Sequence, residues 1–181
     1  MTRLPSPRLV VTVPRLRARR GDSVAVDGVC LTVAGHRGGG LVFDLLGETL
    51  RTTTLGARRP GDRVNVEPAL KAGGVIGGHL VLGHVDAVGR VVRRRRTPAG
   101  IALTIAAPRA VRRYLAPKGA VAVDGVSVTL DARVTRGEFT IHLIPHTAAV
   151  TTLGSREPGD RVNLEADPIA RYVVAVVDGA R

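Results

Sequence analysis

Short apolar runs rich in valine and threonine recur along the chain, and between them stand Asp-Gly, Gly-Gly and Pro-Gly pairs. Runs of that length with turn residues at their ends predict β-strands joined by tight turns. RLVVTV (8–13), LVLGHVDAVGRVV (80–92) and IALTIAA (101–107) are of this kind. Helical signals are few: a short turn over 47–51, a stretch over 108–115 that opens on proline, and IARYVVAVV after an Asp-Pro start within 168–177. The last is expected to pack between subunits. Residues 69–79, ALKAGGVIGGH, are glycine-rich with little periodicity and read as a linker or an extended crossover.

The pattern repeats. VAVDGVCLTV from Val24 matches VAVDGVSVTL from Val121 at an offset of 97, and LRTTTLGARRPGDRVNVEP (50–68) matches VTTLGSREPGDRVNLEADP (150–168) at an offset of 98. Units of that size are too long for a solenoid and suit two small all-β domains, each avoiding exposed strand edges by closing into a barrel. The boundaries read as a first barrel over 1–68, a linker over 69–79, a second barrel over 80–168 and a C-terminal helix over 169–181. Upstream of Pro108 the second copy has two apolar runs, whereas upstream of Pro14 the first has only RLVVTV. One strand of the first barrel is therefore unaccounted for, which leaves an open barrel, a gap filled by another segment, or a start codon placed too late. The open edge is expected beside Cys30, and a chain without that strand is expected to be less stable and poorly active.

At 44% apolar and 23% charged residues, with a mean hydropathy of +0.13, the 181 residues can bury a core. The lone cysteine, Cys30, excludes an internal disulfide, and no His/Cys spacing suggests a structural metal. No apolar run is long enough to cross a membrane as a helix, and the arginine-dotted N-terminus is no signal peptide, so a cytoplasmic protein without membrane attachment is expected. A net charge of +12 points toward polyanions, yet only Lys71 and Lys118 are lysines, and compositional bias accounts for an arginine excess of this kind. Single-strand nucleic-acid binders of barrel type stack bases on aromatic side chains. With only Phe43, Phe139, Tyr114 and Tyr172 to offer, the chain is not expected to bind nucleic acid. The run from Arg93 through Arg96 falls where a hairpin connection is expected and reads as an exposed turn.

Candidate chemistry follows the repeat. Cys30 enters a strand after Asp27-Gly28, and Ser127 is its counterpart, so one duplicated position carries a thiol in one half and a hydroxyl in the other. Both can act as nucleophiles, although a lone cysteine also serves as a small buried hydrophobe. Thr32 and Thr129 stand two residues further on and share a strand face with Cys30 and Ser127. Thr49 and Thr147 also correspond, as hydrogen-bonding groups or merely as β-formers. His84, in GHVDAVG, has the titration range for proton transfer near neutrality. His79, His142 and His146 carry less signal, and His36 reads as a loop residue. Asp167 ends the second GDRVNLE unit where the first has Pro68, which suits either a functional carboxylate or an N-cap of the last helix. Lys118 is a ligand-orienting or a surface lysine.

The ordered set GDSVAVDGVCLTV, GETLRTTTLG, GDRVNVEPA, IGGHLVLGHVDAVG, KGAVAVDGVSVTL, HLIPHTAAVTTLG and GDRVNLEADPIARYV closely resembles the α chain of riboflavin synthase over most of residues 21–173. The resemblance implies two tandem six-stranded Greek-key β-barrels, the first here without its first strand, and a short C-terminal helix that associates in a homotrimer. It implies that each barrel binds 6,7-dimethyl-8-ribityllumazine and that a four-carbon unit passes between two such molecules, giving riboflavin and 5-amino-6-ribitylaminopyrimidinedione. No cofactor or metal is implied; lumazine synthase is a further expected partner. On this resemblance Cys30, His84, Ser127 and Asp167 are the catalytic candidates, with the choice of base and nucleophile open. Thr32, Thr49, Lys118, Thr129 and Thr147 are the substrate-binding candidates. The first barrel of one subunit is expected to face the second barrel of its neighbour. A non-catalytic lumazine- or flavin-binding protein on the same barrels is the alternative.

Overall fold

The computed structural model describes residues 7–135 and 137–180. In the first half, β1 (Arg8–Thr12), β2 (Ser23–Val26), β3 (Val29–Arg37), β4 (Gly40–Asp44) and β5 (Val66–Pro68) form an open antiparallel sheet in the order β1-β4-β3-β2-β5. In the second half, β6 (Ala87–Thr97), β7 (Gly100–Ala106), β8 (Ala120–Val123), β9 (Val126–Thr135), β10 (Glu138–Leu143) and β11 (Arg161–Ala166) close into a barrel in the order β10-β7-β6-β11-β8-β9. Among the described residues there are also four α-helices, α1 (Gly47–Thr52), α2 (Arg109–Arg112), α3 (Pro145–Val150) and α4 (Pro168–Gly179), and two 3-10 turns, Thr54–Ala57 and Thr152–Ser155.

Alternation of side chains along each strand builds the two cores. Val29, Leu31 and Val33 of β3 point inward and are buried, while Cys30 and Thr32 point out. Phe43 and Phe139 lie fully buried in the first and second cores. Each such side chain contributes about 1.5–3 kcal/mol relative to leaving it in water.

Among the described residues the first half shows no counterpart of β6. In the closed barrel β6 bridges β7 and β11, and the equivalent strands β1 and β5 are the two edges of the open sheet among the described residues. Cys30 does not stand at that opening: its strand, β3, is central, paired with β2 and β4. Two other expectations are corrected. Residues 69–86 hold no strand or helix, and the strand expected from residue 80 begins only at Ala87. The run from Arg93 through Arg96 lies within β6 rather than in a turn, and Arg94 is tucked down to donate to the Gly154 carbonyl at 3.1 Å and pair with Glu157. Helix α3 was not expected; it is the repeat of α1, which the sequence does signal.

The halves meet back to back at two Asp-Gly hairpin tips. Asp27-Gly28 and Asp124-Gly125 have φ of 45° and 74°, and of 47° and 80°, the left-handed pair that a type I′ turn requires. A Cβ on Gly28 would fall 2.5 Å from the Gly125 nitrogen, so glycine is needed for contact as well as for conformation. Hydrogen bonds cross reciprocally. Asn65 Nδ2 donates to the Asp124 carbonyl and Asn163 Nδ2 to the Asp27 carbonyl, at 3.0 and 2.8 Å. The Thr54 amide donates to Asn163 Oδ1 and the Thr152 amide to Asn65 Oδ1, both at 2.8 Å. Beneath them the buried carboxylates pair with Arg58 (2.6 Å) and Arg156 (2.7 Å).

Candidate functional site

Two related clefts lie on the outer faces of the two sheets. The first, about 460 Å³, is lined by Arg20, Gly21, Cys30, Thr32, Asp44 and Thr49 among others. The second, about 440 Å³, is lined by Gly78, Lys118, Ser127, Thr129, Asp131, His142 and Thr147 among others. The period of two along β3 and β9 turns Cys30 and Thr32, and Ser127 and Thr129, out of the cores and into the clefts. Thr49 and Thr147 reach the same clefts from α1 and α3. Six of the nine residues singled out in the sequence therefore fall into two equivalent sets of three.

Lys118 belongs to the second cleft. Its φ of 62° is a left-handed conformation that its counterpart Gly21 (φ 93°) adopts without strain. Its ammonium lies 3.9 Å from Asp131, and His142 Nε2 is 3.1 Å from the other oxygen of that carboxylate. The His142 hydrogen bond, then the Ala132 amide and the charges nearby, hold the Asp131 carboxyl below its usual range. The first cleft has Gly21 and Ala34 where the second has Lys118 and Asp131, and Asp44 of that cleft is paired with Arg8 at 2.9 Å. The second cleft thus carries a lysine, a carboxylate and an imidazole in contact at its rim, whereas the lining of the first has Arg20 and Asp44 and no histidine.

A strap before β6 touches both candidate nucleophiles. At its start Gly78 packs so closely on Ser127 that any Cβ there would collide with the hydroxyl. The next residue, His79, places Nδ1 2.7 Å and its main-chain nitrogen 3.2 Å from Ser127 Oγ. At the far end the Cys30 amide donates to the Gly83 carbonyl at 2.9 Å, and a Cβ on Gly83 would meet the Cys30 Cβ at 2.5 Å. Buried Glu165 fixes the strap by accepting the amides of Leu82 (2.9 Å) and Gly83 (3.0 Å).

His84 and Asp167 stand apart from the cleft linings. The His84 side chain is exposed, and its carbonyl accepts from Arg171 at 2.9 Å. Asp167 caps α4, its Oδ1 accepting the Ile169 amide at 2.9 Å. The histidine that meets Ser127 is His79. On the sequence His84 outranks it by its place in GHVDAVG, and nothing along the chain marks His79 as a neighbour of Ser127. Asp131 and His142 lie eleven positions apart and meet only because β9 and β10 pair. Among the described residues, no group of three or more His, Cys, Asp and Glu is arranged to hold a metal ion.

Comparison with known proteins places this architecture. The family model described as the lumazine binding domain matches twice, over residues 5–69 and 82–167. The riboflavin synthase of Mycobacterium tuberculosis is 43% identical over 178 residues, covering 96% of this chain and 89% of the relative. That of Photobacterium phosphoreum is 42% identical over 153 residues, covering 84% and 70%. Among solved structures, LumP complexed with 6,7-dimethyl-8-(1'-D-ribityl) lumazine superposes with a TM-score of 0.80 at 22% identity, covering 92% of this chain and 90% of that one. LumP complexed with flavin mononucleotide gives 0.77, also at 22% identity and with the same coverage. Two family matches that divide the chain where its two sheets divide, and relatives above 40% identity over most of its length, establish that the chain belongs to the riboflavin synthase family of lumazine-binding proteins.

Proposed function

We propose that the chain catalyses the riboflavin synthase reaction, the dismutation of two molecules of 6,7-dimethyl-8-ribityllumazine by transfer of a four-carbon unit. The products are riboflavin and 5-amino-6-ribitylaminopyrimidinedione. The observation that carries this reading is the pair of equivalent clefts, each with a nucleophile-capable side chain and two threonines, at Cys30, Thr32 and Thr49 and at Ser127, Thr129 and Thr147. Two like ligands call for two like sites. The threonine hydroxyls suit a polyol such as the ribityl chain, and Lys118 supplies a cation at the rim of the second cleft.

Transfer between two bound lumazines needs the clefts brought face to face. The clefts of one chain open on separate sheets, so the first cleft of one subunit meets the second cleft of a neighbour in a homotrimer. Helix α4 offers the contact: Ile169, Tyr172, Val173 and Val176 are more than half exposed on it. In that assembly Cys30 and Thr32 oppose Ser127, Thr129 and Asp167, and His84 stands close by to move protons. The cytoplasm is the compartment of this reading, and lumazine synthase, which would hand over the substrate, is a further partner.

The alternative is non-catalytic lumazine or flavin binding. The open first sheet and the resemblance in fold to LumP favour it. Incubating the purified protein with the lumazine and following riboflavin by absorbance and fluorescence separates the two. Riboflavin formation in proportion to enzyme is the expected result; saturable binding without riboflavin would establish the alternative.

A further inference from the structure

Among the described residues the contact between His79 and Ser127 has no equivalent at Cys30, where the strap presents a backbone carbonyl instead. Ser127 Oγ receives the main-chain N–H of His79 at 3.2 Å, which occupies one of its two lone pairs. Its own proton needs an acceptor, and the imidazole Nδ1 at 2.7 Å is within reach. The remaining lone pair then faces the cleft. We propose that His79 is a positioning residue for Ser127: its neutral ring accepts the hydroxyl proton at Nδ1 and turns a lone pair of Oγ toward a lumazine-class ligand.

The surroundings agree with this arrangement. The imidazole is half-buried, and burial lowers its pKa from the ordinary 6.5, which favours the neutral ring. Asp167 at the head of α4 and Glu165 on β11 are the charged groups whose fields reach it, and both oppose that shift without reversing it. His79 Nε2 is buried without a hydrogen-bond partner among the described residues, so the ring's one polar contact is the serine. The inference concerns the second cleft and rests on the reading of that cleft as a lumazine site.

Two measurements on the full chain test it. Nitrogen-15 NMR of the histidine rings in the protein itself should show His79 protonated at Nε2, with the Nδ1 resonance moved in Ser127→Ala. A ring protonated at Nδ1, or a resonance indifferent to Ser127→Ala, overturns the proposal whether or not the protein makes riboflavin. Turnover is then compared across pH in His79→Asn, whose side-chain oxygen can replace Nδ1, and in His79→Leu. His79→Leu should lower turnover about a hundredfold while lumazine affinity, read by fluorescence titration, changes by less than about twofold. His79→Asn should restore most of the rate and flatten the acid limb of the pH profile, which is expected in the parent below the ordinary imidazole value because burial lowers His79. Equal rates in His79→Leu and the parent, or an acid limb unchanged in His79→Asn, defeat it. If the parent binds lumazine but forms no riboflavin, the proposed reaction fails, and the NMR result still decides the role of His79.

Discussion

Ser127 and Cys30 show how much one strand position determines. Both follow an Asp-Gly turn by two residues, and the pleat turns both outward, so their exposure could be read from the hydrophobic alternation around them. Ser127→Ala should reduce turnover more than lumazine binding, since ring recognition can rely on backbone groups that the substitution leaves in place. Rates and titrations for this variant, beside an exposed control such as Arg37→Ala, check that split; equal loss in the two would remove Ser127 from the site. Asp167 is a different case, because its carboxylate caps α4. Asparagine caps almost as well, so Asp167→Asn should change stability by no more than about 0.5 kcal/mol while lowering activity. A large fall in melting temperature with intact turnover would mark the aspartate as structural. What the sequence did not disclose at this scale are contacts created by tertiary pairing, such as His79 on Ser127 and Asp131 on His142.

Among the elements, strands were legible where apolar and polar residues alternate between turn signals, and the repeat doubled each signal. The strap was not legible, since neither a helix nor a strand period marks residues 69–86. Its path is set from outside by Glu165, a residue of β11 that points away from water and into two amides. Glu165→Ala would leave both amides without their acceptor and should cost about 3 kcal/mol in denaturant unfolding. Its counterpart Glu67 is exposed on the edge strand β5 and holds no strap among the described residues. Glu67→Ala should therefore fall within about 0.5 kcal/mol of the parent. Comparable losses at the two positions would mean that the carboxylates stabilise their strands rather than the connection.

For the whole molecule, the junction between halves governs response to acid. Burial pushes the Asp124 carboxyl up to about 6, against the attraction of Arg156, and raises Asp27 in the same direction. A carboxyl whose folded pKa lies above its unfolded value of 3.8 holds protons more tightly in the folded state. Its contribution to stability is therefore greatest below pH 3.8 and is lost as pH rises to about 6. Chemical denaturation across that interval should show the decline, and Asp124→Asn should flatten it. The Asp-Gly junction carries one more implication, for ancestry. The four side-chain hydrogen bonds described across it form two pairs related by an approximate twofold rotation, which is the signature of a contact between identical partners. A half-length forebear could have met a copy of itself through that same surface, with no tether. On that descent, fusion of two such genes would free each copy to drift, and a sulfur in one cleft with an oxygen in the other is the kind of divergence it would allow.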